Sequence, residues 1–273
     1  MKKIILMIML VFVLLVGRTF SNTFDHSVYD TFLQRFVSNG LVDYKGMAKQ
    51  QATLNKYLQS IEHVDPIKFE NWSENEQMTF WINAYNAITL EAILRNYPIQ
   101  WGSFISWALF PKSSIRQINK VWDTFYTKVM GKELTLNQIE HEILRKKFHD
   151  PRIHFAIVCA SIGCPKLESR AFLADDLEQR LEGAARNFIS DSKQVRLNKK
   201  EKTFYLSSIF EWYKGDFEAS PEVHRNFKNY SKSERGIIEF IVNRLSQEDQ
   251  QFVFNNQPKI KYLKYDWTLN EQK

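Results

Sequence analysis

The stretch Asp150-Pro-Arg-Ile-His-Phe-Ala-Ile-Val-Cys-Ala-Ser-Ile-Gly-Cys-Pro165 holds both cysteines of the 273-residue chain and one of its six histidines. Cysteine and histidine in one short segment suit nucleophilic catalysis, in which a thiolate attacks and an imidazole handles the proton. Cys164 lies between Gly163 and Pro165, in a turn from which its thiol can swing back towards His154. Cys164 is therefore the candidate nucleophile and His154 the candidate base. Ile139-Glu-His-Glu-Ile-Leu144 adds His141 as a second base and Glu140 as the acid that would orient an imidazole. Asp150 is a further acidic candidate, and with Arg152 it flanks His154 as a substrate-binding candidate. Asn83 and Asn86 lie three apart, hence on one helix face, and either orient a substrate oxyanion or cross-link the helix to a loop.

The same cysteines have a competing use. Paired cysteines in an exported protein invite a disulfide, and a Cys159–Cys164 bridge would silence the thiol until it is reduced. A metal is not expected: Cys164, His154 and His141 lack the spacing of a zinc ribbon or a helical histidine pair. No phosphate-cradling or dinucleotide-binding glycine pattern is present, so no nucleotide cofactor is expected.

These groups need elements to position them. Ile153 to Cys159 is a short apolar run rich in branched residues and reads as a buried strand. Alternation then places His154, Ala156 and Val158 on one face and Cys159 on the other. Ser73 with Glu76 is a capping box opening a helix that runs to about Tyr97. Thr135 with Gln138 caps the helix that carries Glu140 and His141. Further helices are predicted over 26–38, 47–62, 172–189, 207–214 and 233–245. A hairpin is predicted across 194–206, a short strand or hairpin after Trp122, and a final extended strand over 260–267. The fold class is α+β, a mostly helical single domain around a small, largely antiparallel sheet.

The start of the chain sets the compartment. Lys2 and Lys3 precede an apolar run from Ile4 to Val16, with small residues at 19 and 21. This fits a signal peptide over 1–21, cut after Ser21, and the run falls short of the roughly 20 apolar residues of a spanning helix. Arg18 is awkward for cleavage, so an uncleaved anchor is the alternative. The expected location is periplasmic or extracellular, with no other transmembrane segment, and residues 22–273 as one globular domain. Twenty-one Phe, eleven Tyr and seven Trp supply its core. The net charge of +6 is spread out, its densest patches at Arg145-Lys-Lys147 and Lys199-Lys-Glu-Lys202 reading as solvated helix or hairpin ends. Nucleic acid is not an expected partner, whereas an anionic envelope surface suits a basic chain.

Phe80-Trp-Ile-Asn-Ala-Tyr-Asn-Ala87, Ile139-Glu-His-Glu-Ile-Leu-Arg145, the Asp150–Ala156 run, Cys159 through Pro165, and Tyr265-Asp-Trp-Thr-Leu-Asn270 together resemble the domain-of-unknown-function 547 family. The resemblance spans about 28–270 and implies domain extent and candidate positions, not a reaction. Two functions are open: a cysteine-dependent hydrolase or acyltransferase, and a non-catalytic, disulfide-stapled envelope domain that binds a protein or glycan. In layout the first resembles papain- and transglutaminase-like enzymes, but there the cysteine precedes the histidine and here Cys164 follows it. The clusters Phe210-Glu-Trp-Tyr-Lys-Gly-Asp-Phe217 and Tyr265–Asn270 read as packing, with Asp216 and Asp266 as minor site candidates.

Overall fold

A computed structural model of the chain describes residues 24–218 and 227–273. The expected leader and its cleavage point lie outside the described residues. No described helix is long and apolar enough to cross a membrane.

The architecture is α+β and mostly helical. Its axis is the helix Glu74–Arg95, opened by the expected Ser73/Glu76 capping box and buried at every residue from Gln77 to Leu94. A helix buried on every face lies inside a fold, and its buried polar residues, Asn83 and Asn86 among them, must find partners there. The helices Ser27–Phe36 and Gln51–Glu62 pack together, the second of them also against the axis. Around these lies one apolar cluster, and a second gathers on the helices Leu177–Ser190 and Lys232–Val242 and the hairpin Val195–Asn198/Thr203–Leu206. The two clusters meet at the site segment: Ile153 and Ala156 belong to the first, Phe155 to the second, and Tyr265 packs against both.

Strands are few and form three small sheets among the described residues. The hairpin over 195–206 is antiparallel as expected, and Lys259–Tyr262 adds to Thr203–Leu206 in parallel. Tyr126–Val129 pairs antiparallel with Lys132–Thr135. The helix Gln247–Asn256, capped by Ser246, stands where no element was expected; its polar run hides any apolar stripe.

One expectation fails at the most important place. Ile153–Cys159 is not a strand: Pro151–Phe155 is a 3-10 turn and the chain beyond it is irregular. Two local causes compete with the β-branched run. Asp150 accepts from the Arg152 amide and Pro151 takes the first helical position, which together start a helical turn. Then Asn86 takes the role of a neighbouring strand: its Nδ2 donates to the Ala156 carbonyl and its Oδ1 accepts from the Val158 amide, both at 2.9 Å. The alternation of faces disappears with the strand, and every residue from Ile153 to Val158 is buried.

Candidate active site

A cleft of about 610 Å³ gathers Cys159, Cys164, His154, His141 and Glu140. The elements that supply them come from the whole length of the chain. The Cys159–Pro165 loop is pinned by the C-terminal tail: Ser161 bridges Leu269, and the amides of Ile162 and Gly163 donate to the carbonyls of Thr268 and Asp266. Gly163 is needed there, because a β-carbon would come within 2.9 Å of the Tyr265 ring. The residue pattern 265–270 thus serves to close one wall of the cleft.

Cys159 and Cys164 are joined by a disulfide. The sulfurs sit among donors. The Cys159 amide lies 2.9 Å and the Tyr265 hydroxyl 3.1 Å from Cys164 Sγ, and Ser161 Oγ lies 3.5 Å away. Burial pushes the Tyr265 phenol well above its ordinary range despite a counteracting hydrogen bond from Ser161, so it stays a protonated donor.

Glu140 and His141 ride on a π-helical turn, Gln138–Leu144, opened by the reciprocal pair of Thr135 and Gln138. Such widened turns recur at functional sites. Glu140 is buried; its Oε2 accepts from Tyr85 Oη at 3.0 Å, while its Oε1 has no hydrogen-bond partner. An unpaired buried carboxylate oxygen at a cleft wall is a place for a ligand's donor. Burial, then the charge of Glu140, pushes the Tyr213 phenol well above its ordinary range.

The two histidines differ in what their neighbours permit. Arg145 Nη1 lies 2.7 Å from His141 Nδ1, and a guanidinium only donates. Neutral His141 therefore carries its proton on Nε2 and offers a donor, not a lone pair. His154 Nε2 lies 2.7 Å from Asp216 Oδ2, and its ring stacks on Tyr213 with centroids 3.9 Å apart. A carboxylate only accepts, so the His154 proton is on Nε2 and Nδ1 is its basic position. Asp216 also takes a two-pronged bond from Arg145, Nε to Oδ2 at 2.6 Å and Nη2 to Oδ1 at 2.8 Å. Burial raises the Asp216 carboxyl, but the hydrogen bonds from His154 and Arg145 more than offset that and hold it well below the ordinary carboxylate range.

This network gives a pH prediction. The folded pKa of Asp216 lies below the unfolded value of about 3.9, so its stabilisation is full above that value and is lost as pH falls through the folded one. Asp216→Asn removes it, and should cost about 2–3 kcal/mol, less than a fully buried pair because the carboxylate is a quarter exposed. Urea midpoints will show a gap from wild type that is constant between about pH 5 and 6 and narrows below about pH 4. A gap that widens in acid would show that Asp216 is not the charged partner.

The other expected residues lie apart from the cleft or are already engaged. Both amides of the long helix are cross-links: Asn83 brackets the backbone of Phe172 at 2.9 Å in each direction, as Asn86 does with 156–158. Both are buried in these cross-links and neither lines the cleft. Arg152 closes on its own neighbour Asp150 and on Glu178, outside the cleft. Asp266 caps a turn at the Thr268 amide.

Sequence reasoning missed the aromatic walls and the arginines. Trp122, Trp212, Tyr213, Tyr265 and Trp267 line the cleft, and Arg116 lies 5.2 Å over the Trp267 ring. The clusters at 210–217 and 265–270 contained the signal, but aromatic runs read first as core. Arg145 was expected to be a solvated helix end; it is the hub of the His141–Asp216–His154 network. A second cavity of about 860 Å³ shares Cys164, Pro165 and Tyr265 with the cleft but is lined by no histidine, so of the two spaces only the smaller has both Cys164 and His154 on its walls. Among the described residues no group of three or more His, Cys, Asp or Glu side chains is placed to hold a metal ion.

No curated protein and no solved structure matches this chain. Residues 69–189, which carry both asparagines, Glu140, His141, His154 and both cysteines, match a family model described as "Protein of unknown function, DUF547"; the tail that closes the cleft lies beyond the matched segment. Over residues 69–189 the chain is similar to the DUF547 family.

Proposed function

We propose that the chain is an exported cysteine-dependent hydrolase or acyltransferase whose nucleophile, Cys164, is stored in the bridged form. The observation that supports this reading is a cleft lined by both Cys164 and His154, with His154 hydrogen-bonded to Asp216 behind it. A dithiol reductant gives two electrons and two protons to the Cys159–Cys164 bond and becomes a disulfide itself. The Cys164 proton then passes to His154, and the thiolate is held by the Cys159 amide and the Tyr265 hydroxyl. The thiolate adds to an acyl carbonyl, and collapse expels an alcohol or amine that takes the proton from His154. Water, or an acceptor hydroxyl, attacks the thioester while His154 removes its proton, releasing the acid or new ester and restoring the thiolate.

The bridge itself favours a second reading, a disulfide-stapled envelope domain whose cleft binds a glycan. Trp122, Trp212 and Trp267 offer flat faces for sugar rings, and the unpaired Glu140 oxygen accepts from a hydroxyl.

Mild reduction followed by iodoacetamide titration across pH 5–9 separates the two. The enzyme reading expects labelling concentrated on Cys164 with an apparent pKa below the ~8.5 of a free thiol. It also expects a reductant-dependent acyl-enzyme burst with p-nitrophenyl acetate, absent in Cys164→Ser. A bridge that resists mild reduction, with saccharide binding unchanged in Cys164→Ser, decides for the binding domain.

A further inference from the structure

Residues 101–109 expose more apolar surface than any comparable stretch of the described chain. Five of its twelve exposed large apolar side chains come from here: Trp101, Phe104, Ile105, Trp107 and Leu109, between 47% and 80% exposed. The helix Phe104–Leu109 buries none of its six residues, so it adds nothing to either core. Clusters of this kind on a protein surface mark interaction sites.

The segment is nonetheless firmly built. Gln117, itself buried, sets its Nε2 amid the carbonyls of Ser106, Phe110 and Pro111, which share its two hydrogens, and its Oε1 accepts from the Gly102 amide. Gly102 lies so close that a β-carbon would overlap the Gln117 carbonyl oxygen. The apolar side chains are thus held out on a fixed hook.

Charge selects what the hook meets. From Ala92 to Trp122 the chain has no Asp or Glu and carries four basic residues. Arg95 pairs with Glu91 and Arg116 lies over aromatic rings, which leaves Lys112 and Lys120 exposed at the foot of the hook. Tryptophan and phenylalanine with flanking lysines match the bilayer interface, where amphipathic rings sit at headgroup level and lysines meet anionic lipid. Residues 22–273 still carry a net positive charge, +3 once Lys2, Lys3 and Arg18 of the leader are set aside, which adds long-range attraction to the same surface. We propose that the 101–109 hook docks the protein on an anionic lipid bilayer, inserting its apolar side chains without spanning. Phe110, next in the chain, lines the cleft, so docking places the cleft mouth beside the membrane. This inference is independent of the cleft's chemistry.

The test uses the full chain and vesicles of phosphatidylcholine with and without phosphatidylglycerol, in which the acyl chains carry bromine to quench nearby tryptophan. Wild type should be quenched more than Trp101→Phe/Trp107→Phe, and the excess should require phosphatidylglycerol. The triple variant Phe104→Ser/Ile105→Ser/Leu109→Ser, whose changes are exposed and leave the fold intact by circular dichroism, should abolish that excess. Its vesicle affinity through the hook should fall about tenfold or more. No excess quenching in wild type overturns the proposal. So does concentration-dependent self-association that the triple variant abolishes without any excess quenching, which would make the hook a protein interface.

Discussion

Asn86→Ala will lower the unfolding free energy by about 3–5 kcal/mol, as two buried backbone groups lose their only cross-link and each costs about 1–3 kcal/mol unpaired. The side chain is 2% exposed, donates to the Ala156 carbonyl and accepts from the Val158 amide. No strand pairs with this irregular segment, so the amide of one helical residue replaces a whole β-ladder rung. Its removal adds a cavity to the lost bonds. Urea unfolding followed by tryptophan fluorescence will show a lower midpoint with an unchanged slope. Because 156–158 runs directly into Cys159, reduction of the Cys159–Cys164 bridge by a dithiol should also become faster in this variant. A loss under about 1 kcal/mol would mean that water enters and satisfies both groups, and the clamp would then be dispensable.

That clamp also explains what the sequence could and could not say. Elements whose causes are local were legible: the Ser73/Glu76 and Thr135/Gln138 caps and the turn of the 195–206 hairpin each depend on neighbours a few residues apart. The run 153–159 has strand composition, yet Asp150 and Pro151 start a turn and Asn86, 72 residues before Val158, settles the rest. Candidate chemistry was legible by residue type, since Cys164, His154, His141 and Glu140 do share one cleft. Their roles were not. Arg145 reaches His141 Nδ1 from only four residues on and takes up its lone pair, but only the fold carries Asp216 across 62 residues to His154 and Arg145. The aromatic runs at 210–217 and 265–270 were ambiguous for the same reason: core and cleft wall use the same side chains, and long-range packing alone separates them.

Gly236→Ala tests that long-range dependence, because the sign of its effect is opposite to what the local sequence implies. Gly236 lies inside the helix Lys232–Val242, where alanine is favoured over glycine by about 1 kcal/mol. The helix is pressed against the turn Lys214–Phe217, and a β-carbon at 236 would overlap the Phe217 carbonyl oxygen and come within 2.6 Å of its carbon. Both obstacles are backbone, so no side-chain rotation relieves the clash and the turn must move. We expect a net destabilisation of about 2–4 kcal/mol, overpacking outweighing propensity. The turn holds Asp216, so its displacement also withdraws the carboxylate from Arg145 and His154. The two substitutions then remove overlapping interactions. The double variant Gly236→Ala/Asp216→Asn should be more stable than the sum of the single losses predicts, by about 1 kcal/mol or more. Strict additivity would show that the helix yields and the turn stays. In that case Arg145 and His154, not the packing behind the turn, fix Asp216 in place.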